Sequence, residues 1–171
     1  MLTSRPVSTG ARQGRHQHGI ALIESLVSII IVMTGILGIA GLTMKSATWA
    51  GHAQHRTEAG MFASQIVRLI ELKVSRSSPD NLANSLAAFQ HQPDGEMCDF
   101  SGSSAGDSTF QGVLKAARGE QTNVHGLPGA TAAMQQVRVD AANDNRITVT
   151  LCWQGPNDPA VRNYQIQAFV H

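Results

Sequence analysis

A single carboxylate, Glu24, stands in the longest apolar stretch of the chain. The 25 residues from Ile20 to Met44 contain no Lys, Arg, Asp, His or Asn, and Glu24 is their only charged side chain. A charge deep in a bilayer costs about 2.5–3.5 kcal/mol, so it needs a partner, a place near the lipid headgroups or a function. Because the run contains no cation, we expect the partner to be a lipid headgroup, a second protein or a newly made N-terminal amine.

A serine motif in the middle of the chain has the spelling of a hydrolase nucleophile. Residues 102–106 fit G-x-S-x-G with Ser104 at the centre, but a nucleophile elbow needs a strand before it and a helix after it. The neighbouring residues predict a flexible turn instead, and the next histidine, His125, lies in another stretch with Gly and Pro. We therefore expect no enzymatic activity, and a membrane-anchored periplasmic hydrolase is the least favoured alternative.

Candidate metal ligands are sparse. His52 and His55 are three residues apart on a predicted helix, but no third or fourth ligand is near in sequence. The segment 140–145 has the acidic character of a calcium loop and lacks its Gly and distal Glu. The sequence therefore predicts two exposed polar residues and a hairpin turn, with no metal or cofactor. With 13 basic and 12 acidic residues and no basic patch among aromatics, nucleic-acid binding is not expected either.

The apolar run predicts a transmembrane helix over residues 20–44. As a helix it is roughly 37 Å long, and a bilayer core is roughly 30 Å thick. The preceding residues 1–19 carry three Arg and no acid, which places the N-terminus in the cytoplasm and the bulk of the chain outside. A cleaved signal peptide, cut near residues 38–40, is disfavoured because the run is too long. A plain signal anchor leaves Glu24 unexplained.

The order of these features resembles the class III leader of type IV pilins and pseudopilins. Gly19 is followed by Ile20-Ala21-Leu22-Ile23 and then Glu24. The resemblance implies that a prepilin peptidase cuts between Gly19 and Ile20 and methylates the new amine of Ile20. It also implies that Glu24 faces the N-terminal amine of a neighbouring subunit in a filament. Many members of the family have Phe at the first mature position, so Ile20 is a departure.

The resemblance implies an α+β, pilin-like fold, in which a long N-terminal helix packs on a C-terminal antiparallel sheet. We expect a leader at 1–19, the long helix at 20–76 and a head at 77–171. An apolar stripe at 62, 66, 70 and 74 suits a helix that packs on a sheet. The sequence also predicts a short helix over 82–89, a variable loop over 90–129, and strands over 134–139, 146–153 and 161–170 within a sheet at about 134–170.

Two further features bear on assembly and stability. Gly35, Gly38 and Gly41 recur every third residue and form a strip of small residues that lets other helices approach or lets the helix bend. Cys98 and Cys152 lie in the exported part, and two Cys in an exported chain usually pair. We therefore expect a disulfide that joins the variable loop to the central strand.

Within the superfamily, the Gly-rich span and the Cys-Trp pair at 152–153 resemble the PilV family of minor pilins. That resemblance implies a non-catalytic subunit of a type IV pilus that is held in the inner membrane by lipid and then enters the extracellular filament. Its expected partners are other pilins, the prepilin peptidase and the inner-membrane assembly platform. A minor pseudopilin of a type II secretion system is the nearest alternative, and the 90–129 loop could also serve an adhesin.

Overall fold

One long helix, two short helices and two small antiparallel sheets make up the computed structural model, which describes residues 18–156 and 158–171. The fold is α+β and has the pilin-like layout that the sequence predicts. The chain divides into two compact units, Met1–Thr48 and Trp49–His171. The elements are, in order, α1 (His18–Lys73), α2 (Pro79–Ala87), β1 (Asp94–Glu96), β2 (Asp99–Ser101), α3 (Ser108–Ala117), a 3-10 turn (Ala132–Met134), β3 (Gln135–Asp140), β4 (Arg146–Trp153) and β5 (Arg162–Phe169).

The N-terminal unit contains the apolar part of α1. Every residue from Ile20 to Thr48 is exposed, and the most apolar 18-residue window has a mean hydropathy of 2.5. By length and composition this segment can cross a membrane, although a signal sequence near an N-terminus passes the same test. Side chains such as Leu22 and Leu37, each 71% exposed, are unfavourable in water. The unit therefore needs lipid or other protein around it.

In the second unit, the C-terminal part of α1 packs on the larger sheet. Ala59, Ala63, Ile66 and Ile70 are fully buried and share one apolar core with residues of the strands. The small residues Ala59 and Ala63 come first along the buried face, and the larger Ile66 and Ile70 follow. The predicted stripe is present, with Phe62 only partly buried.

The larger sheet is an antiparallel meander in the order β3-β4-β5. Its register places Val149 opposite both Val137 and Ile166, so apolar residues align across three strands. Ile147, Val149 and Leu151 on the central strand are fully buried. β4 has the predicted bounds, and the other two strands differ from prediction by one residue at each end.

The segment 90–129 corrects the sequence prediction, because it is not a loop throughout. It holds the hairpin of β1 and β2 and the helix α3. The Asp107 side chain caps α3 by accepting a hydrogen bond from the Phe110 N–H at 2.8 Å. Phe110, Val113, Leu114 and Ala117 are buried on one face of α3, a spacing typical of an amphipathic helix. Because many Gly, Ser and Asp residues flank this segment, its helical pattern is weak in the sequence.

The other two helices also have bounds that differ from those predicted. α1 ends at Lys73 rather than at residue 76, and α2 occupies Pro79–Ala87 rather than 82–89. Ser78 caps α2 by accepting a hydrogen bond from the Asn81 N–H at 3.2 Å. Pro79 fits the first turn because that position needs no N–H donor, so the proline that appeared to end one helix begins the next.

Candidate functional site

The hydroxyl side chains of the apolar run are satisfied within α1 itself. The Ser28 hydroxyl donates to the Glu24 carbonyl at 2.7 Å, and the Thr34 hydroxyl donates to the Ile30 carbonyl at 2.9 Å. Ser25 and Thr43 make equivalent bonds to carbonyls three or four residues earlier. In lipid each polar group must find a partner inside the protein, and these four have one without a second chain.

Glu24 differs from those hydroxyls. Its side chain is exposed, and within residues 18–156 and 158–171 its carboxylate makes neither a hydrogen bond nor an ion pair. Between Ile20 and Met44 it is the one polar side chain for which the described part of the chain supplies no partner. The predicted cleavage bond between Gly19 and Ile20 lies in the first turn of α1. Most of the predicted leader, residues 1–17, lies outside the described residues.

The three glycines of the predicted strip are open on their outer side. A Cβ built on Gly35, Gly38 or Gly41 meets no atom within 4 Å beyond the neighbouring helix backbone. No described residue therefore covers the strip, and the backbone of α1 is accessible there to another helix.

The disulfide that the sequence predicts is present. Cys98 and Cys152 are bonded, with their Cα atoms 5.6 Å apart. Cys98 lies in the turn between β1 and β2 with a φ of 68°, and Cys152 is fully buried on β4. The bond therefore fastens the small hairpin to the central strand of the larger sheet.

Comparisons with protein-family models, curated proteins and solved structures found no match. What the chain does must therefore be argued from its own residues.

The serine motif has a different context from the predicted one. A strand, β2, precedes it and a helix, α3, follows it, so the expectation of a flexible turn without these neighbours is wrong. Ser104 is nevertheless exposed, and its backbone is not among those with a positive φ, whereas an elbow is sharp and strained. His91 contacts this loop through Nδ1, which accepts from the Ala105 N–H at 3.4 Å. No described residue forms a nucleophile–base pair with Ser104.

His91 is a buried histidine that sequence patterns do not single out. It is 2% exposed, and its Nε2 has no hydrogen-bond partner among the described residues. Burial, with a smaller contribution from the positive charge of Arg118, lowers its pKa from 6.5 to about 4. The imidazole is therefore neutral at physiological pH, since desolvation disfavours the charged form.

The two helix histidines bind separate carboxylates. His52 Nδ1 lies 3.5 Å from Oδ1 of Asp158, and His55 Nδ1 lies 3.2 Å from Oε2 of Glu58. Both rings are about one-third exposed or less, so they are partly buried rather than the exposed pair that the sequence predicts. Among the described residues there is no group of three or more His, Cys, Asp or Glu side chains that could hold a metal ion.

The acidic segment 140–145 forms a turn between β3 and β4. Oδ2 of Asp140 accepts a hydrogen bond from Asn143 Nδ2 at 2.6 Å and another from Arg146 Nη2 at 2.8 Å. These bonds hold the pKa of Asp140 below its usual value, the Asn143 amide contributing most. The carboxylate is thus occupied within the turn, as the hairpin interpretation predicts.

Sequence reasoning missed a small cluster of cations at one end of the second unit. Arg56 of α1 and Arg162 of β5 line the same cavity as Trp153. These residues are far apart in sequence and belong to three elements, so only the packing of α1 on the sheet brings them together. No local motif indicates such a site.

Proposed function

We propose that this chain is a minor pilin subunit of a type IV pilus. A prepilin peptidase removes residues 1–19 and methylates the new amine of Ile20. The apolar part of α1 then holds the protein in the inner membrane, with its N-terminus on the cytoplasmic side and its head in the periplasm. On assembly the same segment bundles with the helices of other pilins in the extracellular filament.

The carboxylate of Glu24, which has no partner among the described residues, carries this proposal. The other polar side chains between Ile20 and Met44 bond to the backbone of α1, and this carboxylate bonds to no described residue. A methylated amine at Ile20 of a neighbouring subunit would supply the missing positive charge. Cleavage after Gly19 creates such an amine four residues before the carboxylate, in every copy of the chain.

The second unit supports the same conclusion. A helix continuous with the apolar run packs on a three-stranded sheet, and Cys98 and Cys152 are bonded. Disulfides persist in oxidising compartments such as the periplasm and the cell surface, which is where a pilin head works. In this proposal other pilins, the prepilin peptidase, the inner-membrane assembly platform and lipid are the partners.

The PilV-like assignment is the finer part of the proposal. It rests on the Gly-rich span, with Gly35, Gly38 and Gly41 open to neighbouring helices, and on the Cys152-Trp153 pair at the end of β4. In this assignment the protein joins the filament in small numbers or primes its assembly. It acts through contacts between subunits and catalyses no reaction.

Mass spectrometry of the protein extracted from its own membrane tests the proposal. We expect the mature N-terminus to be a monomethylated Ile20. An intact Met1, or a start at Gly41 after signal-peptide cleavage, contradicts it. Deleting the gene and counting surface pili then separates a pilus subunit from a pseudopilin, whose loss affects protein secretion and leaves pili in place.

A further inference from the structure

A cavity of about 420 Å³ in the second unit lies between α1 and the end of the larger sheet. It is lined by His52, Ala53 and Arg56 from α1, Trp153 from β4, and Arg162 and Asn163 from β5. The register pairs Trp153 directly with Arg162, so these two lining residues are cross-strand neighbours. No acidic residue lines the cavity, and each polar side chain in its lining has at least one group that can donate a hydrogen bond.

Trp153 gives the first sign that the cavity takes a ligand. The residue is 2% exposed, and its Nε1–H is buried without an acceptor among the described residues. A buried donor without a partner costs about 1–3 kcal/mol, and buried indoles normally have an acceptor. An anion in this cavity would provide one.

The charges around the cavity give the second sign. Asp158 is the carboxylate nearest in the fold, and it already binds Arg162 Nε at 3.3 Å and lies 3.5 Å from His52. Arg56 is different, since no carboxylate of residues 18–156 or 158–171 lies within ion-pair distance of it. Its guanidinium lies over the ring of Tyr164, 5.9 Å from the centroid, and that ring lines a second cavity that Arg56 also borders. The guanidinium thus lies between the two cavities, and arginine presents several N–H donors that a ligand can accept.

We propose that this cavity binds a phosphate group, with Arg56 as the principal cation and the Trp153 N–H as a fixed neutral donor. Phosphate oxygens accept the fork of N–H groups that arginine presents, and Arg162 and the Asn163 amide line the remaining wall. Free phosphate and the phosphodiester of a lipid headgroup share this chemistry. The site is independent of the proposed role in a pilus.

The two tryptophans of the chain make the proposal measurable. In the full-length chain with Trp49→Phe, Trp153 is the only indole, so its emission reports on the cavity directly. The protein in detergent micelles is titrated with inorganic phosphate and, separately, with short-chain phosphatidylglycerol. Phosphatidylcholine of the same chain length is the control, because its choline group neutralises the phosphate.

We expect saturable changes in Trp153 emission, and Arg56→Ala should weaken binding about tenfold or more, as expected for a lost charge-assisted bond. Arg56→Lys keeps the charge, so its affinity should lie between those of the normal chain and Arg56→Ala. Arg68→Ala is the matched control, because Arg68 is an exposed arginine on the same helix that does not line the cavity. Circular dichroism and an intact disulfide check that each variant is folded.

Saturation by inorganic phosphate supports the site and identifies free phosphate as sufficient. Saturation by phosphatidylglycerol alone supports it and assigns a lipid headgroup. No response to either probe overturns the proposal, and so does an equal effect of the Arg56 and Arg68 substitutions. Because the experiment does not involve processing or assembly, its failure leaves the pilin proposal unaffected.

Discussion

The ammonium group of Lys73 donates a hydrogen bond to Oδ2 of Asp107 at 2.6 Å. Lys73 is the last residue of α1, and Asp107 caps α3 through its other oxygen, which accepts from the Phe110 N–H at 2.8 Å. One carboxylate thus joins the end of α1 to the start of α3, through two residues that are 34 positions apart in sequence. The Lys73 hydrogen bond, followed by that of Phe110, holds the pKa of Asp107 below its usual value.

Asp107→Ala should therefore lower the Tm of the head more than Lys73→Met does. The first change removes the cap and the ion pair together, whereas the second leaves the cap, and exposed ion pairs contribute little. Thermal denaturation followed by circular dichroism measures both. Asp107→Ser, which keeps a capping oxygen, should recover most of the loss; equal Tm values for the Ala and Ser variants would contradict the capping role.

His91 should make the head sensitive to acid. Its pKa is about 4 in the folded chain and 6.5 when unfolded, so between these values unfolding takes up a proton. The contribution of His91 to the free energy of unfolding is therefore fully present above pH 6.5. It is lost as the pH drops toward 4, by about 3 kcal/mol in total. Urea unfolding across this range measures the slope.

His91→Asn should flatten that slope, because an amide does not titrate. His125→Asn is the matched control, since it makes the same change at an exposed histidine. Below about pH 4 the carboxylates with lowered pKa values, Asp107 and Asp140 among them, add a separate loss. An unaltered slope in the His91 variant would show that another group controls the response.

Glu24→Ala should leave the folded head intact and abolish or strongly reduce entry into filaments. The carboxylate has no partner among the described residues, so its removal breaks no contact within them, while it removes the proposed bond to the next subunit. Immunoblots of sheared pili and of membranes measure incorporation and expression. Ser25→Ala is the control, because that hydroxyl bonds only to its own helix. Normal incorporation of the Glu24 variant would refute the assembly role.

Gly38→Ala should separate the stability of α1 from its association with other helices. A Cβ at Gly38 meets nothing within 4 Å, and Ala favours a helix over Gly by about 1 kcal/mol. The helix should thus be as stable or more so, while cross-linking to neighbouring pilins decreases. Gly51→Ala has equal space around its Cβ and lies in the same helix beyond the apolar run, so it should stabilise the helix to a similar degree and leave cross-linking unchanged. Equal cross-linking of both variants would argue against a packed glycine strip.

Replacing both cysteines by serine should destabilise the head substantially. In the chain-entropy model, opening a loop with a 54-residue separation costs roughly 4 kcal/mol, before native strain is considered. Denaturant unfolding of the double variant, and of the normal chain with and without reductant, measures the loss. The reduced normal chain should match the double variant closely, and a midpoint unchanged by reductant would contradict a stabilising role.

Regular local patterns were predictable from the sequence. The alternation of Ile147, Val149 and Leu151 predicts β4 because successive side chains of a strand point to opposite faces, although the structure buries both faces from Val149 to Trp153. The apolar run predicts residues 20–44 of α1, because a run of that length and uniform composition is typical of a membrane-spanning helix. Glu24 stood out because a charge is rare in such a run.

Features that depend on the tertiary fold were not predictable. α3 has a capping Asp107 and a buried face, but Gly112 at its centre and the polar residues around it weaken its local helical signal. His91 is buried only because the loop of Ala105 and the ring of Phe110 lie against it. His52 and Arg162 are in contact although they are 110 residues apart in sequence, so no local motif could predict that contact.

The bond between Cys98 and Cys152 also determines how the head responds to force. Tension applied between α1 and β5 would pass directly through the sulfur atoms, so α3, β3 and most of β4 would carry none of it. At about 3.4 Å per residue, the 54-residue separation corresponds to roughly 180 Å of chain that pulling cannot release. In the proposed pilus, the head would therefore resist stretching even after the sheet began to open.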